Sequence, residues 1–253
     1  MPKKYGLPSA AGSSAGIPAA PTRSLRVVVE RPSLRERTTE ILRNAILDMH
    51  FPPGTKLVEV KLCEETGVSR SCIREALRCL EAEALVVSTP HRGMFVAEIG
   101  WSEARQIYEI RSILEPAMVR LFVDRASAEQ VQAVRLAMRR VEDTIFEENA
   151  ATHAAALDIF FETMIIGSGN DVAQQLLKSL RARITYLRTM TARASSLDQK
   201  HKTIATLRDL VDALVRRDAD AAEKACRTIV MRSMAFAERF FQAQANEPVS
   251  ARA

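Results

Sequence analysis

Gly67 is the residue that most limits how the N-terminal half of this chain can fold. It follows a short segment, residues 58–66, whose apolar positions repeat with helical spacing, and it suits the left-handed conformation that ends many helices. Two residues later, Ser69 can accept a hydrogen bond from the backbone of a new first turn, which favours a helix running to about residue 83. The stretch therefore predicts two helices joined by a tight turn.

The sequence on either side completes a small domain. Upstream, the letters SLRE form a capping box between Ser33 and Glu36, and the helix that begins there must stop before the prolines of HFPPGT. Downstream, residues 85–88 and 94–97 favour short strands, with a tip that contains Pro and Gly between them. Together these elements predict a winged helix-turn-helix domain over residues 33–98.

Beyond Gly100 the sequence favours helices almost without interruption. Glycine becomes scarce, aromatic residues are only 5% of the chain, and capping residues recur at Ser102, Ser127 and Asp218. The capping residues and the interruptions between helical segments predict about six helices, at residues 102–124, 127–148, 150–166, 170–193, 197–217 and 218–243. The expected fold class is therefore mostly α, with an N-terminal winged helix-turn-helix and a C-terminal all-α helical bundle over residues 102–243.

The remaining segments are short and polar or rich in small residues. Residues 1–32 are expected to form a flexible arm, residues 99–101 a linker and residues 244–253 a flexible tail. No apolar run approaches the ~18 residues that span a bilayer, and the arm lacks the apolar segment of a signal peptide. We therefore expect a cytoplasmic protein with no membrane partner.

The four cysteines, which form no C-x-x-C pair, are expected to be reduced thiols.

The second helix of the predicted helix-turn-helix has two distinct faces. The apolar face comprises Ile73, Ala76, Leu77 and Leu80. The other carries Arg70, Arg74 and Arg78, with Ser71 beside them, and no partner for it is visible within the domain. Arginine can form two hydrogen bonds with guanine in the major groove, and Ser69, Ser71 and the helix N-terminus suit phosphates. The face is either a solvated surface or a DNA reader, and its position between a turn and a wing favours DNA.

The same residues carry a family resemblance. GVSRSCIREAL resembles the G-V-S-R-x-P-V-R-E-A-L signature of GntR-family bacterial transcription regulators, and PPGTKLVE and TPHRGMFVA resemble that family's turn and wing. The resemblance implies base contacts by Arg70 and Arg74, with Arg78 at phosphate or solvent and the wing tip in the minor groove or on its phosphates. The expected DNA-binding set is Arg35, Ser69, Arg70, Ser71, Arg74, Arg78, His91, Arg92 and Gly93. Cys72 replaces the family's usual proline, a loss that should be tolerated.

The second half resembles the all-helical effector domain, often called FCD, of the FadR-type branch of this family, and the helix count suits its VanR-like members. YEIRSILEPAMVRLFV, DIFFETMIIGSGN and VDALVRRDADAAEKAC match three of its motifs in the right order. The resemblance implies a homodimer that binds a palindromic operator in double-stranded DNA. It also implies a small-molecule effector of the organic-acid class, and repression more often than activation.

Many domains of this type hold a divalent metal through one Asp and three His, and here that pattern is broken. Asp158 matches the Asp, but Glu162 stands at the first His, and ungapped counting places Leu207 and Ile229 at the other two. Aliphatic side chains cannot coordinate an ion. We therefore expect no cofactor and no divalent metal. His153 lies off the helical face of Asp158 and is expected on the surface.

A candidate pocket remains in the second half. Asp158 and Glu162 are one helical turn apart, Arg183 lies among apolar positions of the following helix, and Arg111 matches the arginine that opens the family's effector domain. The expected effector-binding set is therefore Arg111, Asp158, Glu162 and Arg183. Two interpretations stay open. The arginines neutralise the carboxylates in a structural polar cluster, or one arginine is free to pair with an anionic ligand.

The same residues allow two alternatives to an effector-controlled regulator. An enzyme could use Asp158 and Glu162 as acid and base, but no nucleophile motif, phosphate-binding loop or complete metal set supports it, so we expect no enzymatic activity. The stronger alternative is a DNA-binding regulator or scaffold whose effector pocket is degenerate and binds no metal or ligand. The missing histidines support that alternative, but the expected function is the effector-controlled regulator, a repressor more often than an activator.

Overall fold

The structure is a computed structural model that describes residues 32–147 and 149–246. The expected arm, apart from Pro32, and residues 247–253 of the expected tail lie outside the described residues. The elements of the N-terminal domain are α1 (Leu34–Leu47), β1 (Lys56–Leu57), α2 (Glu59–Thr66), α3 (Arg70–Ala82), β2 (Val86–Thr89) and β3 (Gly93–Val96). The helical domain contains α4 (Trp101–Arg125), α5 (Ala128–Asp143), α6 (Ala150–Gly167), α7 (Asp171–Ala194), α8 (Leu197–Val215) and α9 (Ala219–Asn246).

The N-terminal domain has the predicted winged helix-turn-helix architecture. Ser33 and Glu36 form the predicted capping box at the start of α1, and Gly67 ends α2 with a left-handed φ of 70°. Ser69 accepts a hydrogen bond from the backbone N–H of Cys72 and so begins α3. The apolar face of α3 is fully buried through Ile73, Ala76, Leu77 and Leu80. The local signals in the sequence therefore position α3 with its apolar face inward.

The wing contains one strand that the sequence did not predict. Its sheet is antiparallel, with the strand order β1-β3-β2. The additional strand β1 is two residues long and pairs Lys56 with Phe95. Backbone hydrogen bonds from Gly54 to Val96 at 3.0 Å and from Val96 to Thr55 at 2.9 Å hold it in place. Such a short strand shows no periodicity, so only its contacts with β3 define it.

The helical domain has the predicted six helices, with some ends displaced. Ser102 lies inside the first turn of α4 rather than before it, and α5 ends at Asp143 rather than at residue 148, because residues 144–146 form a turn. Asp218 caps α9 as predicted, by accepting a hydrogen bond from the backbone of Ala221 at 3.0 Å. α9 continues to Asn246, so the first residues of the expected tail are helical.

α4 contains an internal proline and does not end there. Pro116 has no backbone N–H, so the carbonyl oxygen of Ser112 lacks its usual partner within the helix. The guanidinium of Arg227, on α9, donates to that oxygen at 3.0 Å. This side-chain hydrogen bond ties α4 to α9, and the two helices pack along each other.

α6 is long and apolar enough to cross a membrane by length and composition. More than half of it is buried inside the molecule, and it packs against α4, α5 and α7. Its Phe160, Phe161 and Met164 belong to the main apolar core of the helical domain. These contacts are those of a core helix, and no other helix within residues 32–147 and 149–246 meets the same criteria.

An apolar cluster continues from the N-terminal domain into the helical domain. It includes residues of α1, α3 and the wing together with residues of α4, α7 and α9. In the segment predicted as a linker, Ile99 is buried and Trp101 already begins α4. The hydroxyl of Tyr186 donates to the carbonyl oxygen of Ala97 at 3.3 Å, and Arg193 donates to that of Asp48 at 2.9 Å. The N-terminal domain is therefore packed directly on α7.

Candidate nucleic-acid interface and ligand cavity

The arginine face of α3 is exposed along the helix. Arg70, Arg74 and Arg78, with Ser69 and Ser71, lie opposite the buried apolar residues. The hydroxyls of Ser69 and Ser71 are 3.0 Å apart at the helix N-terminus. Positive charge, hydroxyls and the free N–H groups of a helix N-terminus are the groups that contact phosphates and base edges. The predicted residues of α3 therefore share one accessible surface.

Arg74 has a partner that was not predicted from the sequence. Its Nε donates to the two carboxylate oxygens of Glu59, on α2, at 2.9 and 2.8 Å. The hydrogen bonds to Glu59 raise the pKa of Arg74. The expectation that the arginine face has no partner is therefore wrong for Arg74. Arg70 and Arg78 form no ion pair with any residue in the described ranges.

The wing tip and the start of α1 hold the other residues predicted to contact DNA. His91 and Gly93 adopt left-handed backbone conformations, with φ values of 61° and 100°, and so turn the chain between β2 and β3. The guanidinium of Arg92 lies 5.6 Å from the centroid of the Phe95 ring. His91, Arg92 and Gly93 are exposed, as is Arg35 in the first turn of α1. All four are accessible to a partner.

A cavity of about 100 Å³ lies in the helical domain between α4, α6 and α7. Its wall carries three carboxylates, Glu115, Asp158 and Glu162, and three cations, Lys178, Arg181 and Arg188. Apolar side chains, among them Phe161 and Ile184, complete the wall. The cavity is therefore small and strongly charged, with both signs represented.

Two groups on α7 hold Asp158. Its Oδ2 accepts a hydrogen bond from the Thr185 hydroxyl, and its Oδ1 accepts one from the guanidinium of Arg188. The side chains of Asp158 and Arg188 are 6% and 10% exposed, and the guanidinium lies 4.9 Å from the centroid of the Phe161 ring. Burial lowers the pKa of Arg188, and the Asp158 carboxylate opposes this effect. The additional contacts offset part of the desolvation cost of a buried pair.

Arg111 lies behind the cavity wall. Its Nε and Nη2 donate to the two oxygens of Glu115, one turn along α4, at 2.7 and 3.3 Å. Its guanidinium lies 5.2 Å from the centroid of the Tyr108 ring, and both members of the ion pair are 3% exposed. Burial by itself would lower the pKa of Arg111, but the neighbouring Glu115 raises it overall. Glu115 is the member of this pair that reaches the cavity.

Glu162 and Arg183, the other two residues predicted to bind the effector, lie apart. Glu162 reaches the cavity and accepts a hydrogen bond from Arg181 at 2.5 Å. Arg183 instead donates from Nη1 to Glu103, on α4, at 3.2 Å. The Nε of Arg183 is buried and has no partner in the described part of the chain. Arg183 is therefore not part of the cavity wall.

The interpretation in which Arg111 and Arg183 neutralise the two carboxylates of α6 is wrong. Arg181 neutralises Glu162 and Arg188 neutralises Asp158, and neither arginine was predicted from the sequence. Their spacing of seven residues places them on one face of α7, which was the available signal. The prediction rested instead on the adjacent apolar stripe that contains Arg183.

The residues around Asp158 do not fit a divalent metal site. Both of its oxygens already accept hydrogen bonds from side chains of α7. Leu207 and Ile229, at two of the expected ligand positions, are buried aliphatic residues. Within residues 32–147 and 149–246, no three His, Cys, Asp or Glu side chains are placed to hold an ion.

His153 is buried, so the expectation that it lies on the surface is wrong. It is 5% exposed, and its Nδ1 lies 3.0 Å from the hydroxyl of Thr144. Burial, followed by the nearby charges of Lys200 and Arg188, lowers the pKa of His153 to about 4. The ring is therefore neutral near pH 7 and acts as part of the contact between α6 and the end of α5.

Comparisons with known proteins agree with this architecture. The model of "Bacterial regulatory proteins, gntR family" matches residues 34–96, and that of the FCD domain matches residues 106–232. The chain is similar to the galactonate operon transcriptional repressor of Escherichia coli, with 29% identity over 222 residues that cover 78% of this chain and 94% of that protein. It is also similar to the transcriptional repressor RspR of the same species, with 28% identity over 204 residues that cover 76% and 83%.

A solved structure supports the fold. A chain described as a "putative transcriptional regulator GntR" from a Rhodococcus species matches with a TM-score of 0.71 and 23% identity, over 81% of this chain and 98% of that one. The two Escherichia coli relatives are named as transcriptional repressors. With a winged helix-turn-helix domain followed by an FCD domain, the chain is a member of the GntR family of bacterial transcription regulators.

Proposed function

We propose that the chain is a sequence-specific DNA-binding repressor whose affinity for DNA is controlled by a small molecule bound in the cavity. The observation that carries the proposal is the position of α7. This helix supplies Arg181 and Arg188 to the cavity, and it contacts the DNA-binding domain through Tyr186 and Arg193. A ligand that prefers one position of α7 would therefore shift the DNA-binding domain as well.

The DNA-binding half of the proposal rests on the exposed face of α3. Arg70 and Arg74 are the base readers, because arginine can bond to O6 and N7 of guanine in the major groove. Ser69, Ser71 and Arg78 contact phosphates beside them. The wing tip, His91, Arg92 and Gly93, enters the minor groove or contacts its phosphates, and Arg35 contacts the DNA backbone from α1.

The functional unit is a cytoplasmic homodimer on a palindromic operator. A two-fold dimer presents two α3 helices to two half-sites, which suits an inverted repeat in the DNA. Three apolar side chains on α4 and α7 are available for a second copy: Ile113, Val172 and Leu176 are 61%, 70% and 54% exposed. Exposed apolar residues on neighbouring helices are typical of such interfaces. The FCD domain of each copy therefore supplies the dimer contact.

A regulator or scaffold without a ligand is the second candidate. The cavity is only about 100 Å³, and each carboxylate on its wall already has an arginine partner. These properties also suit a polar cluster that only holds α4, α6 and α7 together. In this alternative, DNA affinity does not respond to any metabolite.

Selection of genomic DNA followed by affinity measurements tests the proposal. Fragments retained by the immobilised full-length protein are sequenced to obtain the operator. Fluorescence anisotropy then gives the Kd for the operator with and without each member of a metabolite panel. We expect an inverted repeat and at least one compound that changes the Kd. A Kd that stays constant across the panel would favour the ligand-free candidate, and the absence of any enriched sequence would contradict both.

A further inference from the structure

The Asp158 carboxylate is neutralised by the chain itself. Thr185 and Arg188, both on α7, occupy its two oxygens, and the ion pair is almost fully enclosed. The Phe161 ring lies against the guanidinium at 4.9 Å and shields it from water on that side. A divalent ion at this carboxylate would have to displace Arg188 and would leave two cations close together in a buried site. Arg188 therefore occupies the position that an ion would need.

The cavity retains positive charge after these pairs are formed. Arg111 neutralises Glu115 from behind the wall, Arg181 neutralises Glu162, and Arg188 neutralises Asp158. Lys178 also lies on the wall, is exposed, and forms no ion pair within the described residues. The three carboxylates thus face three arginines and one additional lysine. The electrostatic balance favours an anion in the cavity.

Arg188 also has hydrogen-bonding capacity left. Only its Nη1 binds Asp158, and its Nε and Nη2 have no hydrogen-bond partner among the residues that the structure describes. Guanidinium groups bind carboxylate or phosphate oxygens through two such donors. Arg188 can therefore hold Asp158 and contact a ligand at the same time.

We propose that Arg188 is the resident cation of this cavity, and that Arg188, Arg181 and Lys178 bind a small carboxylate or phosphate anion without a metal ion. The inference rests on the proposed function, because it names the ligand class of the proposed effector site. It concerns binding to the cavity alone, so it can be tested without DNA.

Metal content and thermal unfolding of the full-length protein provide the first test. The probes are acetate, citrate and inorganic phosphate, each added with and without EDTA. We expect substoichiometric metal after purification. At least one anion should increase Tm, and EDTA should not change the size of that increase. The comparison of citrate with phosphate shows whether the cavity prefers a carboxylate or a phosphate ligand. One equivalent of bound metal, loss of the anion effect in EDTA, or no response to any of the three anions would overturn the proposal.

Substitutions provide the second test. Lys178→Gln removes an exposed charge and should leave Tm unchanged in buffer. It should increase the Kd for the anion that stabilises the wild type by about tenfold. Arg188→Gln should lower Tm by about 10 °C because it leaves Asp158 buried without its cation. Arg208→Gln, at an exposed ion pair with Glu142, is the matched control and should change neither quantity.

The double variant Asp158→Asn/Arg188→Gln separates lost charge neutralisation from general misfolding. Its Tm should be close to that of the wild type and well above that of Arg188→Gln, because no unpaired charge remains at the site. If the double variant is no more stable than Arg188→Gln, or if Lys178→Gln binds the anion as tightly as the wild type, the assignment is wrong. A protein that fails to bind DNA could still pass these tests, so failure of the proposed function is distinguishable from failure of this inference.

Discussion

Glu59 fixes the position of Arg74 through both of its carboxylate oxygens, which accept hydrogen bonds from the arginine Nε at 2.9 and 2.8 Å. The two terminal nitrogens of Arg74 have no partner in the described part of the chain, although they are the donors that guanine requires. Arginine has several rotatable bonds, so fixing its orientation in the free protein reduces the entropy lost on binding. Glu59 therefore acts as a positioning residue for the proposed base reader.

Glu59→Gln should reduce the selectivity of DNA binding. Loss of the ion pair leaves Arg74 mobile, and removal of a negative charge increases attraction to any DNA. We expect the ratio of Kd values for scrambled DNA and operator to fall by about tenfold. Glu64→Gln, an exposed residue on the same helix, is the matched control for the charge change. Equal ratios for the two variants, measured by anisotropy, would show that the Glu59–Arg74 pair has no role in base reading.

Arg92→Ala should weaken binding to operator and scrambled DNA by similar factors. Arg92 is exposed at the wing tip beside Phe95, where it can reach phosphates. Removal of one phosphate contact should reduce the slope of log Kd against log salt concentration by about 1. Titrations at several salt concentrations measure this slope. An unchanged slope, equal to that of Arg208→Ala, would place the wing tip away from the DNA backbone.

Gly167→Ala should destabilise the helical domain by about 2 kcal/mol. A Cβ at this position would overlap the ring of Phe122, which is fully buried and cannot move aside. The overlap should outweigh the better helix propensity of alanine. Gly100→Ala, where an added Cβ meets no atom, is the control and should be nearly neutral. Equal unfolding free energies in urea for the two variants would contradict the packing described at Gly167.

Stability should fall between neutral and mildly acidic pH because of His153. Its pKa decreases from 6.5 to about 4 in the folded protein, chiefly through burial, so the unfolded chain binds a proton more readily than the native state. The contribution of the neutral His153 to stability is complete above pH 6.5, the pKa in the unfolded chain. It is lost as the pH falls toward about 4, the pKa in the native protein, and the free energy of unfolding should decrease by roughly 3 kcal/mol over this range. Urea unfolding of the wild type at several pH values measures the decrease.

His153→Gln keeps a side chain that can hydrogen-bond to Thr144 but cannot be protonated. The variant should therefore lose less stability on acidification than the wild type. His201→Gln, at an exposed position, serves as the control. An identical pH dependence in His153→Gln and the wild type would assign the acid sensitivity to other groups.

The features that the sequence predicted well depend on neighbouring residues. The capping box at Ser33, the helix cap at Ser127, the left-handed Gly67 and the apolar face of α3 all appear where they were expected. Their causes lie within a single helical turn or a single helix face. The order of elements in both domains followed from them, and the short strand β1 was missed because its pairing with β3 is a tertiary contact.

The site was harder to predict because its contacts join separate helices. The pairing of Arg188 with Asp158 spans 30 residues, and the partner of Arg74 lies 15 residues away on another helix. Several arginines on α7 could have paired with α6, and only the rotation of the packed helices selects among them. His153 was misplaced for the same reason, since the turn after α5 covers it.

Selection of genomic DNA on the wild type and on Arg74→Ala, side by side, shows whether α3 reads the DNA sequence. Arg74 is exposed on α3, so its removal should leave the fold and Tm unchanged. We predict that the wild type enriches one inverted repeat and that Arg74→Ala enriches none, although the variant still retains DNA nonspecifically. An Arg74→Ala variant that enriches the same motif as strongly as the wild type would contradict the assignment of α3 as the DNA reader.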